Sequence, residues 1–419
     1  MAYSSEYEDF KKSKRNKRIG GLLFSGVVII LLGLYIIGQE KQVKSILPPS
    51  YGHDAGESVA EELSPAKQPA ESMHQGLYCY EHLSEAEKCW YEEMYAILDT
   101  MQEEGDLSML QGLAAEEEEL DKVFQCLMND YPELFFVRGY SYTRYTYAGE
   151  LVRLGFTGLY TMDAAEREEK QKQIEAQAGS YLQGISPQAS DYEKVKYVYE
   201  TIVQETDYER DAKDSQNIYS VFVNHESVCQ GYAKAVQYLL NRLGVKCTLV
   251  RGTVYEGENH AWNLVWIDGV SYYVDATWGD ASYRIIGAET ETAVSRPAIN
   301  YDYLCVTTGQ LEKTHMIDNV VPLPECMSVD ANYYVMEGAY FTDYDEEALT
   351  DLFEKGYADG KTEVTLKCAD EEICELFFRR LIEEQEIFDY LDAGGGSVAY
   401  AEDIEQLSLT FWLVNEQNL

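Results

Sequence analysis

The spacing of apolar positions changes character along this chain. Ile19 to Gly38 is an apolar run without a charged residue, and at the helical rise of ~1.5 Å its length matches a hydrocarbon core of ~30 Å. Gln39 to Gly76 shows no sustained apolar period and sets Pro48, Pro49, Pro65 and Pro69 among Ser, Ala, Glu and Lys, the composition of a stalk. From Leu77 the pattern turns globular. Ser84-Glu85-Ala86-Glu87 reads as a capping box ahead of Trp90, Met94, Ile97 and Met101 at helical spacing. A second amphipathic helix runs near Leu120 to Met128 and stops before Tyr131-Pro132. Tyr140 to Tyr147 alternates like a strand with a partner at Gly158 to Met162, and the charged stretch Ala164 to Tyr181 reads as another helix. Ser190-Asp191-Tyr192-Glu193 is a further capping box, opening a helix with Tyr192, Val195, Tyr199 and Ile202 on one face.

Beyond residue 324 the pattern predicts a strand over Tyr333 to Phe341, a helix over Asp345 to Tyr357 and a strand over Thr362 to Cys368. A helix over Glu371 to Leu391 and a last strand with Leu407, Leu409, Phe411 and Leu413 on one face complete it. Gly394-Gly395-Gly396 reads as a turn, because no strand and helix flank it in the order a phosphate loop needs. The expected organisation is a basic tail (1–18), a transmembrane helix (19–38), a stalk (39–76), a small α+β module (77–187), a central domain (188–324) and a second α+β module (332–419).

Composition adds direction to this layout. Lys11, Lys12, Lys14, Arg15, Lys17 and Arg18 precede the apolar run, which places the N-terminus in the cytoplasm and everything after Gly38 outside the cell. A cleaved signal peptide is the competing reading, and it also sends the bulk of the chain outside. The 33 basic and 74 acidic residues give a formal charge of -41. Nucleic acid is therefore not an expected partner, since phosphates would be repelled along most of the surface. Of the nine cysteines, Cys79 with Cys89 and Cys368 with Cys374 are near neighbours that an oxidising compartment could pair; buried free thiols fit the spacing equally well.

One cysteine has a distinctive setting. Tyr232, Val236, Leu239, Leu240 and Leu243 form an apolar face that begins just after Cys229, and Gly244 supplies the stop. Cys229 thus opens a helix of about four turns, where unpaired N–H groups and the positive end of the helix dipole stabilise a thiolate. Gly231 leaves space beside the thiol for a substrate. Taken alone, a cysteine at this place is more often a buried structural residue than a nucleophile. Downstream, Val245 to Tyr255 reads as a strand, Glu256 to Asn259 as a turn, and the runs His260 to Ile267 and Val270 to Thr277 flank Asp268-Gly269, a strong two-residue hairpin signal. Residues equidistant from that turn face each other, so His260 faces Thr277 and Asp275 faces Trp262. Asp275 then shares a sheet face with His260 one diagonal step away, where a carboxylate can orient an imidazole that takes the proton of Cys229. A three-residue loop would destroy this relation.

Val228-Cys229-Gln230-Gly231-Tyr232-Ala233-Lys234-Ala235, then Asn259-His260-Ala261-Trp262-Asn263, then Tyr273-Val274-Asp275-Ala276-Thr277-Trp278 together resemble the bacterial transglutaminase-like domain family. The likeness covers about Tyr219 to Asp280, with a weaker extension over the helix from Ser190. It implies an α+β, papain-like core in which a nucleophile helix packs on an antiparallel sheet that carries His and Asp. Carried over by position, Cys229 is the nucleophile, His260 the general base and acid, and Asp275 the orienting carboxylate. The implied chemistry is attack on an amide of a cell-surface or cell-wall protein or peptide, ending in hydrolysis or transamidation. A non-catalytic surface binding protein is the alternative. The family's upstream oxyanion motif is not recognisable, which leaves the Cys229 N–H and an upstream side chain such as Tyr219 for that task. Trp262 and Trp278 read either as an acyl channel or as packing. No cofactor or metal is expected: His225 lies four residues before Cys229 without a second ligand pair at zinc spacing, and there is no EF-hand loop.

Overall fold

The computed structural model describes residues 73–413, apart from 111–112, 114–115, 149, 255–256, 281–298, 392–397 and 405. The expected transmembrane helix at Ile19 to Gly38, almost all of the stalk and the Gly394–Gly396 turn lie outside the described residues. Among those described, no helix is long and apolar enough to cross a membrane.

The first elements are built as the capping boxes demand. Ser84 accepts from the Glu87 N–H and Glu87 reaches back to the Ser84 N–H, opening helix α1 (Glu85–Asp99). Strand β1 (Gly105–Leu107), helix α2 (Glu117–Asp130), strands β2 (Val137–Tyr147) and β3 (Glu150–Tyr160) and helix α3 (Ala164–Leu182) follow. The sheet order is β1-β3-β2. Helix α4 (Asp191–Glu205) carries the second capping box, at Ser190 and Glu193.

At the centre, helix α5 (Cys229–Arg242) lies against a sheet of strands β4 (Cys247–Val254), β5 (Glu258–Ile267), β6 (Val270–Val274), β7 (Leu304–Val306) and β8 (His315–Ile317). The strands are ordered β8-β4-β5-β6-β7 and every pair is antiparallel. This arrangement of a helix on an antiparallel sheet is the α+β core expected from the sequence. Asp268 and Gly269 form the β5–β6 turn with φ of 50° and 83°, and Ile267 pairs with Val270 through to Asn263 with Val274. The predicted register holds over that length.

Tyr333 to Phe341 is not one strand. Asn332 caps a helical turn at Tyr333–Met336, Gly338 turns the chain at φ 73°, and only strand β9 (Tyr340–Phe341) is extended. Helix α6 (Glu346–Ala358), strand β10 (Glu363–Cys368), helix α7 (Glu371–Phe378) and strands β11 (Ala399–Asp403) and β12 (Ser408–Trp412) complete a sheet ordered β9-β10-β12-β11. The long helix expected to Leu391 ends early: its turn widens over Arg379–Glu383, and Gln385 takes φ 64°.

One cluster of buried apolar residues runs from Tyr78 to Ala331, so the segment before α4 shares a core with the central sheet, while Val250, Trp262, Tyr273, Trp278 and Tyr303 belong to another. The residues from Tyr334 to Leu413 close a separate cluster. All nine cysteines are free. Cys79 lies against Cys126, not Cys89, and Cys368 against Cys374.

Candidate active site

Cys229 is the first residue of α5. Val228 before it is extended (φ −117°, ψ 176°) and no side chain caps the helix, so the N–H groups of Cys229 and Gln230 stay available beside the thiol while that of Gly231 turns to the Val228 carbonyl at 2.9 Å. A strap of hydrogen bonds holds this start in place. Ser227 Oγ donates to the Ser215 carbonyl at 2.7 Å and lies 2.7 Å from Ser220 Oγ, while the Val228 N–H reaches Ser215 at 3.3 Å. Gly231 serves this strap and not a substrate: a Cβ there would stand 2.0 Å from Ser227 Oγ and 2.8 Å from the Ser215 carbonyl. The helix is buried from Gly231 to Leu240, and Asn263 Nδ2 donates to the Ala233 carbonyl at 2.9 Å, tying helix to sheet. Burial pushes the thiols of Cys247 and Cys305 far up; Cys229 is partly exposed.

His260, on β5, donates from Nε2 to Asp275 Oδ2 at 2.7 Å, and its ring also bonds the Cys229 thiol. With Nε2 committed to the carboxylate, Nδ1 is the nitrogen left for the thiol. The structure thus brings all three sequence-derived residues together. Burial alone would lower the His260 pKa; the charge and hydrogen bond of Asp275, with the bond to Cys229, override it and raise the imidazole to about 10. For Asp275, burial works to raise the pKa, and the charge and hydrogen bond of His260 with the hydrogen bond of His315 hold it well below the usual carboxylate range.

The route to this contact differs in one respect from the sequence expectation. Strand pairing stops at Val274, and Thr277 does not face His260. Asp275 leaves the strand as the cap of a single helical turn, Ala276–Gly279, its Oδ1 accepting from the N–H groups of Thr277 (2.9 Å) and Trp278 (3.2 Å). An Asp at the head of a helical turn competes for the backbone N–H groups that a longer strand would need. The cap fixes Oδ1 and leaves Oδ2 to the imidazole.

Several candidates fall away from the chemistry. The Tyr219 hydroxyl donates to Gln173 Oε1 at 2.9 Å on α3, so it does not serve the thiol. Tyr208, which no sequence pattern singles out, stands within the electrostatic reach of Cys229: burial first, then the Cys229 charge, push its phenol up to about 12. His225 turns its Nδ1 to the Glu205 carbonyl at 2.9 Å. Trp262 and Trp278 are buried and pack around the imidazoles, with centroids 5.9 and 6.3 Å from His260; they are walls, not a channel. Asp280 accepts from Tyr232 at 2.6 Å.

A second imidazole escaped the sequence. His315, on edge strand β8, donates from Nε2 to the same Asp275 Oδ2 at 3.0 Å. Its ring centroid lies 4.9 Å from Trp262 and 4.8 Å from Trp278. Strand β8 reaches β4 only because Gly252 has no side chain: a Cβ would meet the Met316 carbonyl at 2.1 Å. His260, Asp275 and His315 offer metal-ligand atoms within 4.8 Å of one another. Both imidazoles, however, aim at one oxygen at hydrogen-bond length, and all three side chains are almost wholly buried. A closed zinc site takes four protein ligands, and this cluster supplies three among the described residues.

Residues 179–276 match the family model described as "Transglutaminase-like superfamily", so this part of the chain is a transglutaminase-like domain. The mouse protein described as kyphoscoliosis peptidase is 30% identical over 106 residues, covering 22% of this chain and 16% of that protein. The chain therefore spans about a sixth of the length of that curated relative. Among solved structures, one described as a TGase superposes over 39% of this chain and 47% of its own, at 17% identity and a TM-score of 0.25. The periplasmic domain of TgpA from Pseudomonas aeruginosa covers 33% of this chain and 59% of its own, at 19% identity and a TM-score of 0.22. Superpositions at these scores bear on neither mechanism nor substrate.

Proposed function

We propose that the chain is a membrane-anchored surface enzyme in which Cys229, His260 and Asp275 carry thiol-dependent acyl transfer on amide bonds of a protein or peptide. The observation that supports this most is the buried line from Asp275 Oδ2 through His260, at 2.7 Å, to the Cys229 thiol at an uncapped helix start.

In this reading His260 takes the thiol proton at Nδ1, and the imidazolium is held by Asp275 through Nε2–H. The Cys229 sulfur attacks the amide carbon, and the charge developing on the carbonyl oxygen falls beside the N–H groups of Cys229 and Gln230 at the start of α5. Collapse of the tetrahedral intermediate expels the amine, which receives the Nδ1 proton of His260 and leaves an acyl-thioester on Cys229. His260 then removes a proton from water or from a second amine. Water gives hydrolysis, an amine gives transamidation, and Cys229 regains its proton when the product leaves. Of the two tyrosines, Tyr208 is the one whose phenol feels the Cys229 charge, and it also bonds Arg210, whereas Tyr219 is engaged with α3. The basic cluster before Ile19 and the stalk after Gly38 support an anchored enzyme with its catalytic part outside the cell.

The test is reaction of intact protein with a thiol-directed electrophile at limiting concentration near neutral pH. Cys229 is expected to label first and Cys229→Ala not at that rate, with surface peptides then profiled for cleavage and for incorporation of a primary amine. Equal labelling of Cys247 or Cys305 would remove the case for an activated thiol. A reactive Cys229 with neither product would favour a surface binding protein that retains the fold.

A further inference from the structure

Asp275 Oδ2 is the end of a buried chain of hydrogen bonds that begins in the C-terminal layer. Lys367, on β10, is buried and paired with Asp302 Oδ1 at 3.0 Å. It also donates to Gln406 Oε1 at 3.2 Å. Gln406 Nε2 bonds the Tyr303 hydroxyl at 2.7 Å, which lies 3.0 Å from Thr314 Oγ1, which lies 2.8 Å from His315 Nδ1. His315 Nε2 then reaches Asp275.

The direction of this chain is fixed by its ends. An ammonium only donates, so the Gln406 oxygen must face Lys367 and its NH2 must donate to Tyr303. Tyr303, having accepted, sends its own proton to Thr314. Thr314 has two acceptors, the Leu311 carbonyl at 3.3 Å and His315 Nδ1 at 2.8 Å, and the shorter contact takes the proton. At the far end an ionised carboxylate only accepts, so His315 must present Nε2–H to Asp275. Every donor therefore points from the cation at Lys367 toward the anion at Asp275, the arrangement in which successive hydrogen bonds polarise one another.

We infer that His315 is a positioning residue for the proposed triad, and that the Lys367–Gln406–Tyr303–Thr314 chain sets its tautomer, so that residues of the C-terminal layer control the reactivity of Cys229. The physical content is specific. Asp275 Oδ2 can orient His260 only if it stays put, and His315 supplies a second N–H that fixes the carboxylate in its plane. Were the tautomer reversed, Nε2 would become an acceptor facing an acceptor, and the carboxylate would be driven off its line to His260. The family match ends at residue 276, before His315 and before every member of the chain that feeds it.

This inference rests on the triad reading, and the experiment separates the two. In the full chain, the rate of Cys229 alkylation by iodoacetamide is measured for wild type, His315→Leu, His315→Gln, Gln406→Leu and Lys367→Met. Imidazole protons are followed by NMR in histidine-15N protein. Wild type is expected to show two strongly downfield ring protons, those of His260 and His315 bonded to the carboxylate. His315→Leu is expected to lose one of them, shift the other and slow alkylation about tenfold, the scale of one lost hydrogen bond to a charged group. His315→Gln keeps an N–H at similar reach and recovers part of the rate. Gln406→Leu and Lys367→Met shift the His315 proton and slow alkylation by a smaller factor, in folded protein judged by far-UV circular dichroism. A slow Cys229 in wild type would sink the triad reading itself. A reactive wild type whose rate is matched by a folded His315→Leu would overturn the inference alone. So would stoichiometric zinc that survives dialysis in wild type and is lost in His315→Leu, since the three groups would then be ligands.

Discussion

Asp275 accepts four hydrogen bonds, all from N–H donors: His260 and His315 on Oδ2, Thr277 and Trp278 on Oδ1. Side-chain reach alone would make asparagine a fair replacement. The full set of partners says otherwise, because an amide has one oxygen and one NH2, and either placement sets that NH2 against two donors. At about 1–3 kcal/mol for each of the two unsatisfied buried donors, Asp275→Asn is expected to cost about 2–6 kcal/mol of stability besides its loss of activity, read from the urea midpoint. In a serine triad the equivalent change costs ~10⁴ in turnover; a cysteine depends less on its base, and a smaller loss is expected. His260 gives a pH signature of defined sign. Its folded pKa of about 10 lies above ~6.5 for the unfolded chain, so its stabilisation is complete below ~6.5 and is lost as pH climbs through about 10. The gap in urea midpoint between wild type and His260→Gln should therefore narrow across that window. Cys229, His260 and Asp275 were legible because each sits in a local pattern of caps, turns and alternation. His315 was not, since its meaning comes from a β8–β4 pairing between segments far apart in sequence, permitted by a missing side chain at Gly252.

Among the elements, the β5–β6 hairpin was the most readable, because a two-residue Asp-Gly turn fixes register through positive φ at both positions. What followed was not, as one Asp can serve either a strand or a cap and only the tertiary partner at the Tyr303 carbonyl, 3.0 Å from the Asp275 N–H, decides. Tyr333 to Phe341 failed for a related reason: Asn332 offered a cap to an apolar run that also suited a strand. The start of α5 carries the prediction at this scale. Gly231→Ala would force Ser227 Oγ or the Ser215 carbonyl aside. Overpacking of this kind costs about 1–3 kcal/mol, and because the displaced strap also holds Val228, alkylation of Cys229 should slow along with the fall in Tm. Full retention of both would show that the strap does not set the helix start.

For the whole molecule, the charge of -41 and the basic cluster confined to the first residues give an asymmetry that can be read on cells. Protease added outside should remove the globular part and spare the N-terminal tail; protection of the whole chain would refute the proposed orientation. The layout of apolar cores was less legible. A boundary near residue 187 looks natural from the capping box at Ser190, yet one core runs through residues on both sides of it, because amphipathic faces announce that they will be buried but not against which neighbour. The second core, Tyr334 to Leu413, is separate, and this has a consequence for slow motions. Amide hydrogens in β10 and β12 can exchange with solvent through a partial opening that leaves α5 and β5 closed, at a free energy below that of global unfolding. Each such opening would carry Lys367 and Gln406 away from Tyr303 while Cys229 and His260 stay folded. The chain would then hold two populations with the same nucleophile and differently seated carboxylates, in a ratio set by the local melting of a layer that never touches the thiol.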